Sequence, residues 1–239
     1  MSNVKCIAVA SRKGGVGKTT LVSALAVTLS RTHRVLVVDL DPQSNAAYVL
    51  GGDPTTPGTA SLLMNDTVEP QQLLPNLHVL PGGPELTSRA IQSLPPNTLA
   101  QRLEGLPYDV ILFDCPPGTD YLEWLALHAA HDVLVALDAH PLALVGAGRV
   151  IQDVWEAQAR HQLQTLRTTL VLGRLDIRRS LDRQMPEALH TQWPDIPVFK
   201  VRLDATLAQL FALKTLAITS KRASEDMTAI VEHLYETNR

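Results

Sequence analysis

Short apolar runs separated by helix-length segments dominate the pattern of hydrophobic and polar positions along the chain. Seven runs rich in leucine and β-branched residues are expected to be strands: Cys6–Ala10, Val35–Leu40, Leu77–Leu80, Val110–Asp114, Val133–Leu137, Thr169–Gly173 and Pro197–Val201. Runs that are apolar on both faces are typical of parallel strands covered by helices on each side. The pattern therefore predicts an α/β fold, a doubly wound and mostly parallel sheet flanked by helices on both faces, and residues 1–239 fit one such domain.

The composition agrees with a core of this kind. Hydrophobic residues make up 45% of the chain and aromatic residues only 4%, which favours an aliphatic α/β core over a β-sandwich. Cys6 and Cys115 fall in or beside predicted strands, match no metal or redox spacing, and are expected to be core residues. With no leader pattern and no membrane-length apolar run, a cytoplasmic protein is expected. The segment Gly51–Pro96, rich in Pro, Gly and Thr, is expected to form loops and short helices.

The first predicted strand is followed by the glycine-rich stretch SRKGGVGKTT over residues 11–20. Gly14, Gly15 and Gly17 allow the chain to curl until successive backbone N–H groups point inward, and the helix predicted over Thr19–Arg31 adds the positive end of its dipole. Such a nest binds phosphate. The predicted nucleotide-binding residues are Gly14, Gly15, Val16, Gly17, Lys18, Thr19 and Thr20.

Two side chains of this loop carry distinct chemistry. Lys18 is expected to reach the β- and γ-phosphates as a compact cation, and Thr19 to offer its hydroxyl to the Mg²⁺ ion that bridges them. The alternative is a glycine-rich turn that binds nothing. An apolar strand before the loop and a helical segment after it are the context that the phosphate-binding motif requires.

Three carboxylates end two of the predicted strands. Asp39 and Asp41 are two residues apart, so they share one face if the strand stays extended. Asp114 ends the run VILFD, the arrangement in which an acid binds magnesium through water. Because ligands of an open α/β sheet bind at the carboxyl ends of its strands, these acids are expected near the phosphate loop. Helix capping or turn formation is the alternative for the Asp-Pro stretch.

The loop departs from the ordinary P-loop pattern in two places, with Arg12 where the first glycine belongs and a second lysine at Lys13. The stretch KGGVGKTT resembles the deviant Walker A motif of the ParA/MinD family of P-loop ATPases. DLDPQ over residues 39–43 resembles that family's Walker A′ or switch I motif, and DCPP over residues 114–117 resembles its switch II. The resemblance extends from about Val4 to Val150 and implies a P-loop NTPase of the deviant Walker A type, with ATP and Mg²⁺ as its ligands.

The same resemblance implies roles for individual residues. Asp41 would position or activate the attacking water, and Asp39 would help to organise magnesium and its water shell. Lys13 would contact the partner subunit's phosphates across a two-fold interface, so the ATP state would be a homodimer. The adenine base is expected between the stretch Arg174–Arg178 and the stretch Val201–Asp204, although neither carries the family's usual asparagine or proline.

The function that this resemblance implies is that of a small ParA-type partition ATPase, a slow switch whose hydrolysis a partner stimulates. Its ATP dimer would bind double-stranded DNA nonspecifically, associate with the nucleoid, and segregate a plasmid or chromosome with a ParB-like centromere-binding protein. Three alternatives stay open: a related ATPase that positions a protein cargo through an adaptor, a metabolic P-loop ligase or reductase partner, and a nucleotide-binding protein without turnover.

Charge is unevenly distributed along the chain. Residues 160–222 hold eleven Lys/Arg and five Asp/Glu, a net charge of +6, so the remainder carries −9 of the total of −3. Gathered on one surface, these cations would bind DNA, and a merely solvated face is the alternative. The candidate DNA-binding residues are Arg178, Arg179, Arg183, Arg202, Lys214, Lys221 and Arg222. The final predicted helix, Glu225–Glu236, has an acidic polar face, so no membrane binding is expected.

Overall fold

The computed structural model describes residues 4–118, 121–161, 166–207, 209 and 216–236. Within these residues, the strands are β1 Lys5–Ala10, β2 Val35–Asp39, β3 Gln71–Leu74, β4 Leu77–Leu80, β5 Val110–Asp114, β6 Asp132–Asp138, β7 Arg167–Leu175 and β8 Val198–Arg202. They form one sheet in the order β3-β4-β2-β5-β1-β6-β7-β8. All neighbouring pairs are parallel except β3 with β4, which is an antiparallel edge pair.

Helices connect the strands. Those in the described residues are α1 Lys18–Leu29, α2 Asn45–Val49, α3 Thr59–Leu63, α4 Arg89–Gln92, α5 Thr98–Leu103, α6 Tyr121–Ala129, α7 Ala143–His161, α8 Ser180–Gln192 and α9 Lys221–Glu236, with a 3-10 turn at Pro84–Thr87. Both α1 and α9 pack on one face of the sheet. The other face is covered by α3 to α8, in two clusters of buried residues.

The alternation of side chains along the strands creates these two layers. In β1, Ile7 and Val9 face the α1 and α9 layer, whereas Cys6 and Ala8 face the opposite layer. All residues of β1, β2 and β5 are buried, as expected for central strands of a doubly wound sheet. The predicted fold class is therefore confirmed.

All seven predicted strands are present, with ends that differ by a few residues. The strand that the sequence did not predict is β3, QQLL, which lies in the segment expected to form loops. The final helix begins at Lys221 rather than Glu225, and its apolar residues Met227, Ile230 and Leu234 are buried in the core, as expected for a helix that packs on the sheet.

The connections run in opposite directions on the two sides of β1, since β5 lies on one side of it and β6 on the other. In an open parallel sheet this point leaves a crevice outside the carboxyl ends of the strands, where ligands bind. The loops that meet at this edge follow β1, β2, β4, β5, β6, β7 and β8. We call it the carboxyl edge.

The opposite edge is held by a buried ion cluster. Asp132, at the start of β6, lies 3.3 Å from Lys5 Nζ and 2.7 Å from Arg167 Nη2. Both cations also donate to the carbonyl oxygen of Leu234 in the last turn of α9. Burial lowers the pKa of Lys5, and the charge of Asp132 opposes that shift. The cluster thus attaches the final helix to the central strands.

We expect Asp132→Ala to lower the free energy of unfolding by about 3–5 kcal/mol, because it leaves two cations in a buried site without their counter-charge. Urea unfolding followed by circular dichroism measures this loss. Arg34→Ala is the matched control, since it breaks an exposed ion pair with Asp109 (3.1 Å) and should cost at most about 1 kcal/mol. Equal losses for the two variants would contradict a stabilising role for the cluster.

Candidate functional site

The loop between β1 and α1 has the backbone of an anion nest. Gly15 (φ +75°) and Gly17 (φ +104°) both adopt left-handed conformations that strain any other residue. Gly17 also caps α1 without any side-chain hydrogen bond to its first turn. The first N–H groups of α1 therefore face the mouth of the loop, where the helix dipole favours an anion.

Lys18, Thr19 and Asp114 come together behind this loop. Lys18 is buried, and the Thr19 hydroxyl donates a 2.8 Å hydrogen bond to Oδ2 of Asp114. Burial raises the pKa of Asp114 to about 7, although the Thr19 hydrogen bond and the charge of Lys18 lower it. The other oxygen of Asp114, Oδ1, is buried and accepts no hydrogen bond. A buried acceptor of this kind calls for a cation.

The donor set fits Mg²⁺, which binds through one or two carboxylates together with phosphate oxygens. Here the protein ligands would be the Thr19 hydroxyl and, through water, Asp114. In the part of the chain that the structure describes, no group of three or more His, Cys, Asp or Glu residues could hold a metal ion by itself. A magnesium ion at this site would therefore depend on the phosphates of a bound nucleotide.

Asp39 lies beside Asp114, since the two occupy matched positions on the neighbouring strands β2 and β5. Its Oδ1 accepts the N–H of Asp41 at 2.9 Å, and its Oδ2 accepts the N–H groups of Ala46 (2.8 Å) and Ala47 (3.2 Å) in the first turn of α2. Burial, reinforced by the charge of Asp114, raises the pKa of Asp39 well above its ordinary value. The capping alternative thus describes what Asp39 does, and its role toward magnesium stays a prediction.

Asp41 lies outside the strand, because β2 ends at Asp39 rather than at Leu40. Strand alternation is therefore the wrong reason for expecting Asp39 and Asp41 on one face, and the turn that Asp39 anchors presents Asp41 instead. Asp41 Oδ1 accepts the N–H of Gln43 at 2.9 Å. A Cβ on Gly82, in the loop after β4, would lie only 2.1 Å from the Asp41 carbonyl oxygen. Only glycine allows that loop to support Asp41 so closely.

Arg12 forms contacts that the sequence analysis missed. Its guanidinium is largely buried, and Nη1 donates to Gly118 O (2.5 Å) and to Glu123 Oε2 (2.9 Å), while Nη2 forms an ion pair with Asp153 on α7. The residue thus ties the phosphate loop to the loop after β5 and to two helices. In the sequence, the only sign of these contacts is that Arg12 occupies the position where an ordinary P-loop has its first glycine.

Lys13 remains at the surface of the carboxyl edge. Its Nζ lies 2.6 Å from Oδ2 of Asp138, the last residue of β6, and 48% of its side chain is exposed. The lysine is therefore held by its own chain, within reach of solvent and beside the phosphate loop.

A cavity of about 320 Å³ adjoins the phosphate loop. It is lined by Gly15, Gly17 and Thr20, by Gly173 and Arg174 at the end of β7, and by Val201, Arg202, Leu203 and Asp204 at the end of β8. The stretches expected to enclose the adenine base thus both border this cavity. Its inner part is apolar, with Leu21, Val171 and Met227 among the lining residues, which suits the face of a base.

The candidate DNA-binding residues differ in exposure and in ion pairing. Arg178 is 84% exposed and paired with Asp176 at 2.7 Å. Arg202 forms ion pairs with Asp226 (2.7 Å) and Glu225 (3.1 Å), so its positive charge is largely balanced by carboxylates of its own chain.

The remaining candidates divide between two places. Arg179 and Arg183, expected on one face of a helix, line different cavities, because Arg183 folds back to donate to the carbonyls of Ile177 and Arg178. Lys221 and Arg222 are exposed at the start of α9. Lys214 lies outside the described residues.

Both cysteines are buried, as expected for core residues. Burial raises the pKa of the Cys6 thiol to about 12 and that of Cys115 well above its ordinary value, so neither is primed as a nucleophile or metal ligand. No helix in the described parts of the chain is long and apolar enough to cross a membrane.

We expect Mg²⁺ to increase the ATP affinity of Asp114→Asn much less than that of the parent, because the carboxylate that would hold the ion is gone. The magnesium-dependent gain should fall by roughly tenfold or more, about 1.4 kcal/mol. Titration of a fluorescent ATP analogue with and without a chelator measures it. Asp66→Asn changes an exposed aspartate that does not line the cavity beside the loop, and it should behave like the parent. Unchanged magnesium dependence in Asp114→Asn would move the metal site elsewhere.

Comparison with known proteins gives consistent matches. The family model described as an AAA domain matches residues 4–167. The chromosome-partitioning ATPase Soj of Thermus thermophilus is 32% identical over 97% of this chain and 98% of its own length. Among solved structures, an ATP complex of a substituted McdA from Cyanothece has a TM-score of 0.84 at 21% identity and covers 98% of this chain and 97% of its own.

A third match is the cobyrinic acid a,c-diamide synthase of Mycobacterium smegmatis, with a bound ATP analogue and magnesium. Its TM-score is 0.82 at 25% identity, over 99% of this chain and 98% of its own. The motifs at residues 11–20, 39–43 and 114–117 lie within the matched family model and meet at one edge of the sheet. The chain belongs to the ParA/MinD family of P-loop ATPases.

Proposed function

We propose that this protein is a partition ATPase of the ParA type that acts as a nucleotide-controlled switch. Mg²⁺ and ATP bind at the carboxyl edge, the ATP form dimerises and binds DNA without sequence preference, and a ParB-like partner stimulates hydrolysis and release. The observation that carries the proposal is the phosphate loop with buried Lys18 and the Thr19–Asp114 hydrogen bond behind it, beside an exposed Lys13. The full-length similarity to a chromosome-partitioning ATPase supports it.

The residues of the loop share the work of binding the triphosphate. The N–H groups of the nest and the start of α1 contact phosphate oxygens, and Lys18 supplies a buried cation. Thr19 and Asp114 hold Mg²⁺, which when bound neutralises charge on the phosphates. Asp41, presented by the turn that Asp39 anchors, orients the attacking water.

Dimerisation is supported by the character of the carboxyl edge. Lys13 is paired with Asp138 of its own chain and must leave it to reach a partner's phosphates. Large exposed apolar side chains also lie at this edge, just after β6, β7 and β8: Leu142, Val145, Ile177 and Leu203. A second copy of the chain would cover them, which explains why they tolerate exposure in one copy.

DNA binding would use the cations that the chain does not neutralise itself. Arg179 and Arg222 are exposed, whereas Arg202 is held by two carboxylates and is a weaker candidate. A dimer would double the basic surface, so an overall acidic chain could bind DNA only in the ATP state. The same switch could carry a protein cargo on the nucleoid through an adaptor, and the neighbouring gene's product would discriminate between the two.

A metabolic ligase is the second candidate, because a diamide synthase shares this fold at 25% identity. The two functions differ in what stimulates turnover. ATP hydrolysis that rises with DNA and a partner protein, and needs no small-molecule acceptor, supports partition. Turnover that requires an acceptor carboxylate and ammonia or glutamine supports the ligase and contradicts our proposal.

We expect Lys13→Ala to bind ATP as a monomer and to hydrolyse it roughly a thousandfold more slowly, the order of magnitude for a cation supplied in trans. Light scattering with ATP and a phosphate-release assay measure the two effects. Lys200→Ala removes another exposed lysine and should change neither. Asp138→Asn frees Lys13 and should dimerise at a lower concentration. A Lys13→Ala variant that dimerises and turns over ATP like the parent would make Lys13 an ordinary surface residue.

Replacing Arg179 and Arg222, two exposed candidates, with Glu should abolish DNA binding while ATP-dependent dimerisation stays intact. The parent should bind random-sequence DNA only with ATP, with a log–log salt slope of about −0.9 per phosphate contact. Fluorescence anisotropy at matched salt measures both. Arg34→Glu with Arg89→Glu makes the same charge change at exposed arginines that are not candidates and should retain most of the binding. If the first double variant holds DNA as tightly as the parent, the surface is wrong.

A further inference from the structure

Strand β7 is distorted where it meets the phosphate loop. Its pairing with β8 shifts register between Leu172 and Leu175, and Arg174 within this interval has φ +57°. Arg174 is one of three non-glycine residues with positive φ among the described residues. Arginine has no local hydrogen bond that favours this conformation, and such bulges beside functional sites re-aim a side chain. The distortion therefore sets the direction of the Arg174 side chain, and its contacts show what that direction serves.

The side chain of Arg174 reaches the phosphate loop. Its Nη1 donates a 3.0 Å hydrogen bond to the carbonyl oxygen of Gly15. The preceding residue brings the strand close as well, since a Cβ on Gly173 would lie 3.5 Å from Val16 O and 3.6 Å from Leu137 O. Arg174 also lines the cavity beside the loop.

A hydrogen bond to this carbonyl fixes more than one atom. In a planar trans peptide the Gly15 carbonyl and the Val16 N–H point to opposite sides. With the carbonyl turned toward Arg174, the Val16 N–H points to the side away from Arg174. Val16 is buried against the core, but packing contributes nothing on the glycine side of this peptide, because a Cβ on Gly14 or Gly15 would meet nothing within 4 Å.

We propose that Arg174 is a positioning residue of the phosphate loop. Its guanidinium holds the Gly15–Val16 peptide in the orientation that presents the Val16 N–H to the phosphates, and the strained backbone of β7 is retained for that bond. This inference rests on the proposed function, since it assumes that the loop binds a triphosphate. A direct contact with the base is the competing role, because the same side chain lines the cavity.

Titration calorimetry with Mg-ATP and with magnesium tripolyphosphate separates the two roles. If Arg174 acts through the peptide, Arg174→Ala should weaken both ligands by the same factor, roughly tenfold for a lost hydrogen bond to a charged donor. If it contacts the base, only ATP binding should weaken, which would overturn the proposal. A parent protein that binds ATP but not tripolyphosphate would also overturn it, because the affinity would then come from the base pocket.

Two further variants distinguish positioning from a merely structural role. Arg174→Lys keeps a cationic donor and should recover part of the affinity. Arg174→Gly accepts φ +57° without strain, so its melting temperature should equal or exceed that of the parent while its phosphate affinity falls as in Arg174→Ala. The Val16 amide resonance in the nucleotide-free protein should shift in both Arg174→Ala and Arg174→Gly. An Arg174→Gly variant with parental affinity and an unmoved Val16 resonance would contradict the assignment.

Arg89→Ala, which removes an exposed arginine that does not line the cavity beside the loop, is the matched control and should leave both affinities unchanged. The outcome for the parent separates the two levels of inference. If the parent binds neither ligand, the proposed function fails and the role of Arg174 fails with it. If the parent binds both ligands and the Arg174 variants bind them equally well, the role of Arg174 alone is wrong.

Discussion

Two carboxylates are buried side by side at the carboxyl edge, and the rest of the site is arranged around them. Asp39 and Asp114 occupy matched positions on β2 and β5, almost without exposure, so each disfavours ionisation of the other. The protein relieves this repulsion in two different ways. Asp39 accepts three backbone N–H groups, whereas Asp114 accepts only the Thr19 hydroxyl and keeps one oxygen without a partner. Because their hydrogen bonds differ, Asp39 stabilises the turn after β2, whereas Asp114 keeps an oxygen that a cation can bind.

This division explains how one edge of a sheet holds parts from distant segments. Asp39 folds the turn that carries Asp41, and Gly82 supports that turn by its lack of a side chain. Arg12 connects the phosphate loop to the loop after β5 and to α7. A displacement of one of these segments would therefore break contacts with the other two. Arg174 joins β7 to the same loop from the other side. The buried parallel strands are what make these contacts possible, because they fix where each loop begins.

Much of this arrangement follows from local sequence. The apolar runs predicted the parallel strands and their helices, and the spacing of Gly14, Gly15 and Gly17 before Lys18 predicted the nest, because strand burial and glycine conformation are short-range properties. The strand β3 was missed because QQLL has neither β-branched residues nor apolar alternation, and only its pairing with β4 makes it a strand. Its bulge with β4 is also a property of the pair.

Long-range partners account for what the sequence did not indicate. The contacts of Arg12 lie more than 100 residues away, and no spacing rule connects it to Gly118 or Glu123. The charge count suggested that Arg202 binds DNA, but in the folded protein this arginine forms an ion pair with Asp226. Local patterns therefore predict the helices, the strands and the phosphate loop. The partner of each charged side chain depends instead on which distant segments the fold brings together.

The account makes the carboxyl edge the place where nucleotide acts, and hydrogen–deuterium exchange tests this most directly. The parent protein is compared with and without Mg²⁺ and a non-hydrolysable ATP analogue. Protection is predicted in residues 11–20, 39–47, 114–118, 173–176 and 201–204, with β3 and the amino ends of the strands unchanged. Protection confined to other segments, or none at saturating nucleotide, would contradict the account.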